Sequence, residues 1–599
     1  MADGRKLELE DRGGGIRVAP GARLIDRTGR KRLPIGDDGF VTAGAGSVVV
    51  DKTMFIADIL DSGYKATLFC RPRRFGKTLN MTMVKAFLEI PVDGVSNEPL
   101  FVGTDVWEAA GGSYRSELGR RPVIYLSLRT AKGLAWRETY GALRNVISAE
   151  YRRHGALLDS PRLSGLDRDF ARRMAAGKGS EDDYADSLAR LAQLLKAHHG
   201  SRAVILIDEY DAPVMASFSL GDGGYYREVV AFLKRWLTGA LKDGGEALDF
   251  ACLTGVQRIS KESIFSDLNN LVVNTSLSTE FDERFGFSDA EVAALATYLG
   301  RADCMDEARA WYDGYRFGAA DVYNPWSVIN YLRQGCVPDV YWGNTSSNDV
   351  VGELLRHADQ RTLESVYRLL EPGGTVVSPL DLGVVFPDIG VRPGALWSVL
   401  YLAGYLTTVD STLPNNPRVP RRLTIPNHEV SELYRGEVVE RFALAVGGRE
   451  RLDVLHDGFV SGDVAAVASE LSSVFRDSAS TFDLTNENGA HMLVLGLLFG
   501  IPGYADPESN REHGDGRPDI RVEPMSSPFA FGTRPLLTVE LKFARDASKD
   551  GLEALARVAL EQIRERGYDE GSLPAEASGR VRWGIATSGK HVVALAERA

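Results

Sequence analysis

A chain of 599 residues is too long for one hydrophobic core and fits roughly three to five domains. Its 44% hydrophobic and 25% charged content match a water-soluble globular protein, and the longest apolar run, Met492 to Pro502, is shorter than the roughly 20 residues of a membrane helix. A formal net charge of −12 argues against bulk electrostatic coating of nucleic acid, while leaving room for an enzyme with a local basic channel.

Residues 1–32 alternate charge with glycine, contain no apolar leader core, and read as a weakly ordered lead-in. Cys70, Cys252, Cys304 and Cys336 are widely spaced, with no metal-ligand or disulfide pattern, so a reducing cytoplasm is the expected setting. Leu33 to Gly36 reads as a turn, Val48 to Thr53 as a strand and Met54 to Ser62 as a short helix.

The run from Lys65 to Cys70 predicts a buried strand that enters the basic turn Arg71-Pro72-Arg73-Arg74-Phe75. Gly76-Lys77-Thr78 then opens a helix running through Leu79 to Leu88. Strand, turn and helix in this order form a phosphate-binding loop. N–H groups at the helix start face an anion, the lysine neutralises phosphate oxygens, and the threonine hydroxyl can hold Mg²⁺. Arg71 stands where the usual pattern has its first glycine. With Arg73 and Arg74 it leaves the turn strongly cationic.

Pro122 to Leu128 predicts a second strand, and residues 134–199 are mostly helical. Ala203 to Ile207 is the clearest buried strand and ends in Asp208-Glu209-Tyr210-Asp211. A helix over Tyr226 to Leu241 and a strand over Leu248 to Thr254 follow, a pattern that predicts a parallel sheet with helices on both faces. Beside a phosphate loop, Asp208 is placed to hold Mg²⁺ and Glu209 to orient the attacking water. Thr254 at its strand end could bring a hydroxyl near the γ-phosphate, and Arg258 could meet phosphate. Each feature alone has a plainer reading: a surface turn, a helix cap, a strand-end turn residue, a solvated arginine.

Residues 276–440 carry short helices, aromatics and turns, including Trp311 to Phe317 and Tyr323-Asn324-Pro325-Trp326, and helices return from Glu429 to about Phe475. From residue 482 the order is helix (Glu487 to Phe499), strand (Asp519 to Val522), strand (Leu536 to Phe543), helix (Leu552 to Arg566) and strand (Arg582 to Ser588). This is a second α/β unit.

Several stretches resemble the AAA-ATPase-like family of bacterial proteins. They are Leu33-Pro34-Ile35-Gly36, Val50-Asp51-Lys52-Thr53, the loop Arg71 to Thr78, Ile207 to Asp211, Thr254 to Leu271 with Ser263-Ile264-Phe265-Ser266, and Tyr323 to Trp326. The resemblance covers most of residues 33 to about 330. It implies ATP and Mg²⁺ as ligands, and its members typically carry arginine at the position of Arg71. Arg73, Arg74, Phe75, Gly76, Lys77, Thr78, Leu79, Asp208, Thr254 and Arg258 are the expected nucleotide-site residues. Thr78 and Asp208 are the expected metal ligands there, and Glu209 is the catalytic group.

In the last unit, Glu540-x-Lys542 ends an apolar strand 21 residues after Asp519. Alternation puts Glu540 and Lys542 on one face of that strand. Two carboxylates on adjacent strands can bind Mg²⁺ or Mn²⁺, and a metal-bound water assisted by lysine can cleave a phosphodiester. Ion pairing on a strand face is the plainer reading. Asn510 to Ile520 followed by Thr538 to Lys542 resembles a PD-(D/E)XK nuclease domain over residues 480–599. That resemblance implies catalytic roles for Asp519, Glu540 and Lys542, with Glu487 as an added metal ligand. Gln562 and Tyr568 resemble polar positions near a scissile phosphate, whereas His491 and His513 read as packing or hydrogen-bonding residues. Residues 481–599 carry 14 Lys and Arg against 18 Asp and Glu, so any phosphate-tracking surface must be local, built with residues such as Arg511, Arg517 and Arg545.

The expected architecture is α/β: lead-in (1–32), P-loop parallel-sheet domain (33–275), mainly helical middle region (276–480) and restriction-endonuclease-like domain (481–599). The expected activity is ATP-regulated, metal-dependent cleavage of nucleic acid, DNA first, by a cytoplasmic protein without a membrane partner, with self-association left open. Two alternatives stand beside it. One is a nucleotide-gated switch whose nuclease-like domain is inactive, and the other is an ATPase motor whose C-terminal unit recruits partners.

Overall fold

The structure, a computed structural model, describes all residues except 1–6, 38, 219, 221–223, 243–244, 260–263, 266–267, 344–358, 385–393, 411–418, 478–485, 511–516, 526–533, 571–572 and 575. The chain packs into two compact units, Met1–Trp342 with Val377–Glu429, and Gly343–Val376 with Val430–Ala599. This division runs through the expected middle region, residues 276–480, and assigns parts of it to each unit.

The first unit begins with an ordered sheet where a loose lead-in was expected. Glu10–Gly13 (β1), Ile16–Ala19 (β2) and Ala22–Ile25 (β3) form an antiparallel meander that Val49–Val50 (β4) completes. The glycines of this stretch turn the meander, and buried Leu24 and Ile25 anchor it. Their short alternation with charged residues hid the strands.

The central sheet consists of Ala66–Cys70 (β5), Val123–Ser127 (β6), Ala203–Asp208 (β7), Leu248–Gly255 (β8) and Leu271–Asn274 (β9), in the order β6-β7-β8-β5-β9. Every adjacent pair is parallel. All six residues of β7 are buried, as in a strand covered on both faces. Leu143, Ile147 and Tyr151 of one helix, Leu188, Leu191 and Leu195 of a second, and Val229, Leu233 and Trp236 of a third share the sheet's core. The order inserts β8 between the loop strand β5 and the Asp-Glu strand β7, so three strand ends open onto one crevice.

Further along, Tyr315–Phe317 (β10) pairs with Ala320–Val322 (β11). Val376–Pro379 (β12), Thr407–Thr408 (β13) and Pro420–Thr424 (β14) form a small sheet in the order β12-β14-β13. Cys304 and Cys336 are joined by a disulfide, contrary to the absence of pairing read from their spacing. Both lie beside helix ends that fold back on each other, a proximity that sequence spacing does not carry. No helix among the described residues is long and apolar enough to cross a membrane.

In the second unit, Glu508–Ser509 (β15), Ile520–Val522 (β16), Leu536–Phe543 (β17), Arg580–Ser588 (β18) and His591–Arg598 (β19) lie in sequential order. The pair β17–β18 is parallel and the other pairs are antiparallel. The helix Lys549–Glu565 makes the crossover between the parallel strands and packs Leu552 and Ala556 against Ala586 of β18.

Candidate functional site

Strand β5 delivers the chain into the basic turn, and the helix Lys77–Leu88 leaves it. Gly76 has φ 81° just before that helix, a left-handed conformation that favours glycine. Arg74 is left-handed as well, at φ 69°. Such left-handed residues in a tight turn aim successive N–H groups into a concavity that suits an anion. Lys77 is buried, and its Nζ donates to the carbonyl oxygens of Arg71 (2.9 Å) and Pro72 (2.7 Å). Burial pushes its pKa down, while the carboxylates of Glu209, Asp211 and Asp208 oppose that shift.

The loop helix meets both neighbouring strand ends. Thr78 Oγ1 donates to Asp208 Oδ2 at 2.9 Å, and Thr254 Oγ1 donates to Asp208 Oδ1 at 2.7 Å. The Glu209 N–H donates to Thr254 Oγ1 at 3.2 Å. Thr254 at the end of β8 therefore orients both acidic residues at the end of β7. Glu209 itself has φ 51°, a left-handed conformation that costs a non-glycine residue about 1–2 kcal/mol and is held by its surroundings. Burial, then the neighbouring Asp208 carboxylate, push its carboxyl pKa up.

Two partners of this site were not anticipated. Asp211 Oδ2 accepts the Val256 (2.7 Å) and Gln257 (3.0 Å) N–H groups, fixing the turn after β8. Tyr210 Oη donates to the Gln257 carbonyl at 2.7 Å and accepts the Ile259 N–H at 3.0 Å. Their sequence signal was the Tyr-Asp that follows Asp208-Glu209.

Several loop side chains face elsewhere than expected. Arg71 is fully buried, with its guanidinium turned to Asn274 and stacked on Phe285 and Phe317 rather than aimed into the phosphate cradle. The Phe75 ring packs on Tyr315 and Phe317, leaving its backbone to line the loop. Leu79 packs beside Ile16, Ile25, Ala43 and Val49. The Arg74 guanidinium lies 4.3 Å from the centroid of the Trp326 ring, and Arg73 is exposed. Arg258 is exposed on the turn after β8, where its charge is felt at Cys70 and Tyr210. Ser263 and Ser266 lie outside the described residues.

In the second unit Asp519 precedes β16, whose register with β17 pairs Ile520 with Val539 and so sets Asp519 beside Glu540. The Asp519 N–H donates to Glu540 Oε2 at 3.4 Å, and Asp519 Oδ2 accepts the Leu541 N–H at 2.7 Å. Lys542 Nζ lies 2.9 Å from Glu540 Oε1, and Gln562 Nε2 donates to the same oxygen at 2.5 Å and to Tyr568 Oη at 3.0 Å. Burial, then Asp519, push the Glu540 carboxyl up to about 7 against the pull of Lys542. His491 is hydrogen-bonded to Ser509 Oγ at 2.8 Å, and the Asp519 and Glu487 carboxylates both act on its ring electrostatically. Glu487 itself is exposed on the first turn of the helix Glu487–Leu497. Among the described residues no group of three or more His, Cys, Asp or Glu side chains gathers to hold a metal ion. Arg517 and Arg545 are exposed, and Arg511 and His513 lie outside the described residues.

The Walker-type ATPase PABY2304 of Pyrococcus abyssi is 16% identical and covers 64% of this chain and 95% of its own, with a TM-score of 0.32, an overlay too loose to carry a conclusion. An uncharacterized protein in the vnfD 5′ region of Azotobacter chroococcum mcd 1 is 29% identical over 421 residues, 69% of this chain and 71% of its own. Residues 34–265 match the family model described as predicted AAA-ATPase. With the parallel sheet, the loop and the Asp208–Glu209 strand end, that match makes this stretch an AAA-ATPase-like domain of the P-loop α/β class.

Proposed function

We propose that the chain binds and hydrolyses ATP at the β5 loop and uses nucleotide state to regulate metal-dependent phosphodiester hydrolysis of nucleic acid, DNA first, at Asp519, Glu540 and Lys542. The observation that carries the nucleotide part is the convergence of Thr78 and Thr254 on the two oxygens of Asp208.

The donor set fits a nucleotide phosphate with its metal ion. Lys77 is bonded to two loop carbonyls, partners that phosphate oxygens can replace, and Thr78 and Asp208 supply the hard oxygens that Mg²⁺ prefers. Bound there, Mg²⁺ would supply positive charge against the phosphate oxygens. Lys77 and the N–H groups around Gly76 hold the phosphates, and Thr254 keeps Asp208 and the Glu209 backbone in register. The Glu209 carboxylate orients the attacking water and accepts its proton. A Lys77→Ala variant is expected to lose nucleotide binding, and wild-type ATP affinity in it would remove the loop assignment.

The reading of the second site rests on two adjacent carboxylates, one of them buried, beside a lysine and a glutamine. Asp519 and Glu540 would hold Mg²⁺ or Mn²⁺ with the aid of a strand carbonyl, a pair smaller than a closed protein cage and suited to a metal that keeps its waters. Such a metal lowers the pKa of its bound water. Lys542 and Gln562 keep the Glu540 carboxylate aimed, and Lys542 adds positive charge where the phosphodiester oxygens would sit.

A further inference from the structure

Phosphate loops usually hold their shape through their own glycines. This loop has one glycine and four large side chains, and among them Arg71, Arg74 and Phe75 are committed to contacts outside it. Arg71 Nη2 donates to Asn274 Oδ1 at 2.6 Å, and Nη1 donates to the Asn274 carbonyl at 3.2 Å and the Cys70 carbonyl at 3.0 Å. Its guanidinium carbon lies 4.9 Å from the Phe285 ring centroid and 5.2 Å from that of Phe317. Asn274 is in turn fixed by donating Nδ2 to the Glu280 carbonyl at 2.9 Å. Phe317 also takes Phe75, at 5.0 Å between ring centroids, and Trp326 takes Arg74. Pro72 is met from another direction by Gly404, where a Cβ would sit 2.8 Å from the Pro72 Cβ.

We propose that Arg71 is a positioning residue, and that the shape of the phosphate loop is set by a clasp built from Asn274, Phe285, Phe317 and Trp326 rather than by the loop itself. This deepens the nucleotide-binding reading above and, for its effect on affinity, rests on it. The link to the site is short. The Arg71 carbonyl is one of the two that hold Lys77 Nζ, so the residue gripped by the clasp also sets where the phosphate-binding ammonium stands. A planar, forked, stackable cation is needed for this role, and lysine offers neither the fork nor the flat face. The clasp is built from the last residue of β9 and the chain that follows it, so a change there acts on the loop from outside it.

The test uses the full chain and two variants, Arg71→Lys in the loop and Asn274→Ala outside it. Amide hydrogen exchange over residues 71–78 is followed without nucleotide, and the affinity of the folded protein for N-methylanthraniloyl-ADP is measured in parallel with thermal melting. Both variants are expected to speed exchange in the loop and to weaken nucleotide binding by roughly ten-fold or more. If Arg71→Lys does not fold, Asn274→Ala carries the test alone. Unchanged loop exchange in Asn274→Ala overturns the proposal. So does a variant that melts earlier while its folded fraction binds nucleotide as tightly as wild type, because that is a purely structural role. Faster loop exchange in a protein whose wild type binds no nucleotide would instead uphold the clasp and end the nucleotide reading.

Discussion

Replacing Thr254 by valine keeps the side chain's size and removes one oxygen. That oxygen donates to Asp208 Oδ1 at 2.7 Å and accepts the Glu209 N–H at 3.2 Å, in a residue with no solvent exposure. The first bond is charge-assisted and contributes about 1.5–3 kcal/mol, and stranding the half-buried Glu209 N–H costs about 1–3 kcal/mol at most. Part of that loss falls on folding. The part that reaches catalysis acts through Asp208, left with Thr78 alone of its two hydroxyl donors, and through Glu209, whose left-handed backbone loses a restraint. At about 1.4 kcal/mol per decade of rate, turnover is expected to fall roughly ten- to hundred-fold. Nucleotide affinity should change far less, because Lys77 and the N–H groups around Gly76 are untouched. Phosphate release at saturating ATP and Mg²⁺ reads the rate, and fluorescent ADP binding reads the affinity. Thr254→Ser keeps the hydroxyl and should recover most of the activity. Wild-type turnover in a well-folded Thr254→Val protein would refute the assignment of Thr254 as the residue that aligns the Asp208 carboxylate and the Glu209 backbone.

Gly76→Ala meets no neighbour within 4 Å but must adopt φ near 81°, so it should cost about 1–2 kcal/mol and weaken nucleotide binding. Equal affinity in the variant would show that the left-handed turn is not needed. Burial pushes Glu429 up to about 7, against donation from the Trp342 N–H and the Ser327 hydroxyl. Its folded pKa lies above the unfolded value of 4.5, so its contribution is complete below pH 4.5 and is lost as pH rises through about 7. That contribution is about 3 kcal/mol at most, and Glu429→Gln should flatten the decline in melting temperature over that window. Equal slopes in the two proteins would contradict it. The Cys304–Cys336 bridge closes a separation of 32 residues, so reduction should destabilise the first unit by about 3–4 kcal/mol. A melt unaffected by reductant would contradict the pairing.

The loop and the Asp-Glu strand were legible because their signals are local. Strands covered on both faces read as unbroken apolar runs, and Gly-Lys-Thr needs only its own neighbours to be recognised. Arg71 was misread for the opposite reason. Its side-chain partner Asn274 lies 203 residues away, and a basic residue in a basic turn gives no sign that it points inward. The Phe75 and Leu79 side chains turn into packing in a way the sequence does not show either, since a motif specifies backbone positions and leaves side-chain direction to packing. Strand β19 went unread because it follows β18 through a two-residue turn at Gly589-Lys590 and mixes apolar with charged residues. In Gln562 and Tyr568, by contrast, the resemblance pointed to residues that do reach Glu540, one directly and the other through Gln562.

The most direct test of the combined reading is cleavage of single- and double-stranded DNA and RNA by the wild-type chain and by Asp519→Ala/Glu540→Ala, with Mg²⁺ or Mn²⁺, in the presence and absence of ATP. The wild type should cut nucleic acid only with metal and at a rate that depends on ATP, and the double variant should not cut while still binding nucleotide. Undiminished cutting by the double variant, or no cutting by the wild type under any metal and nucleotide condition, would contradict it.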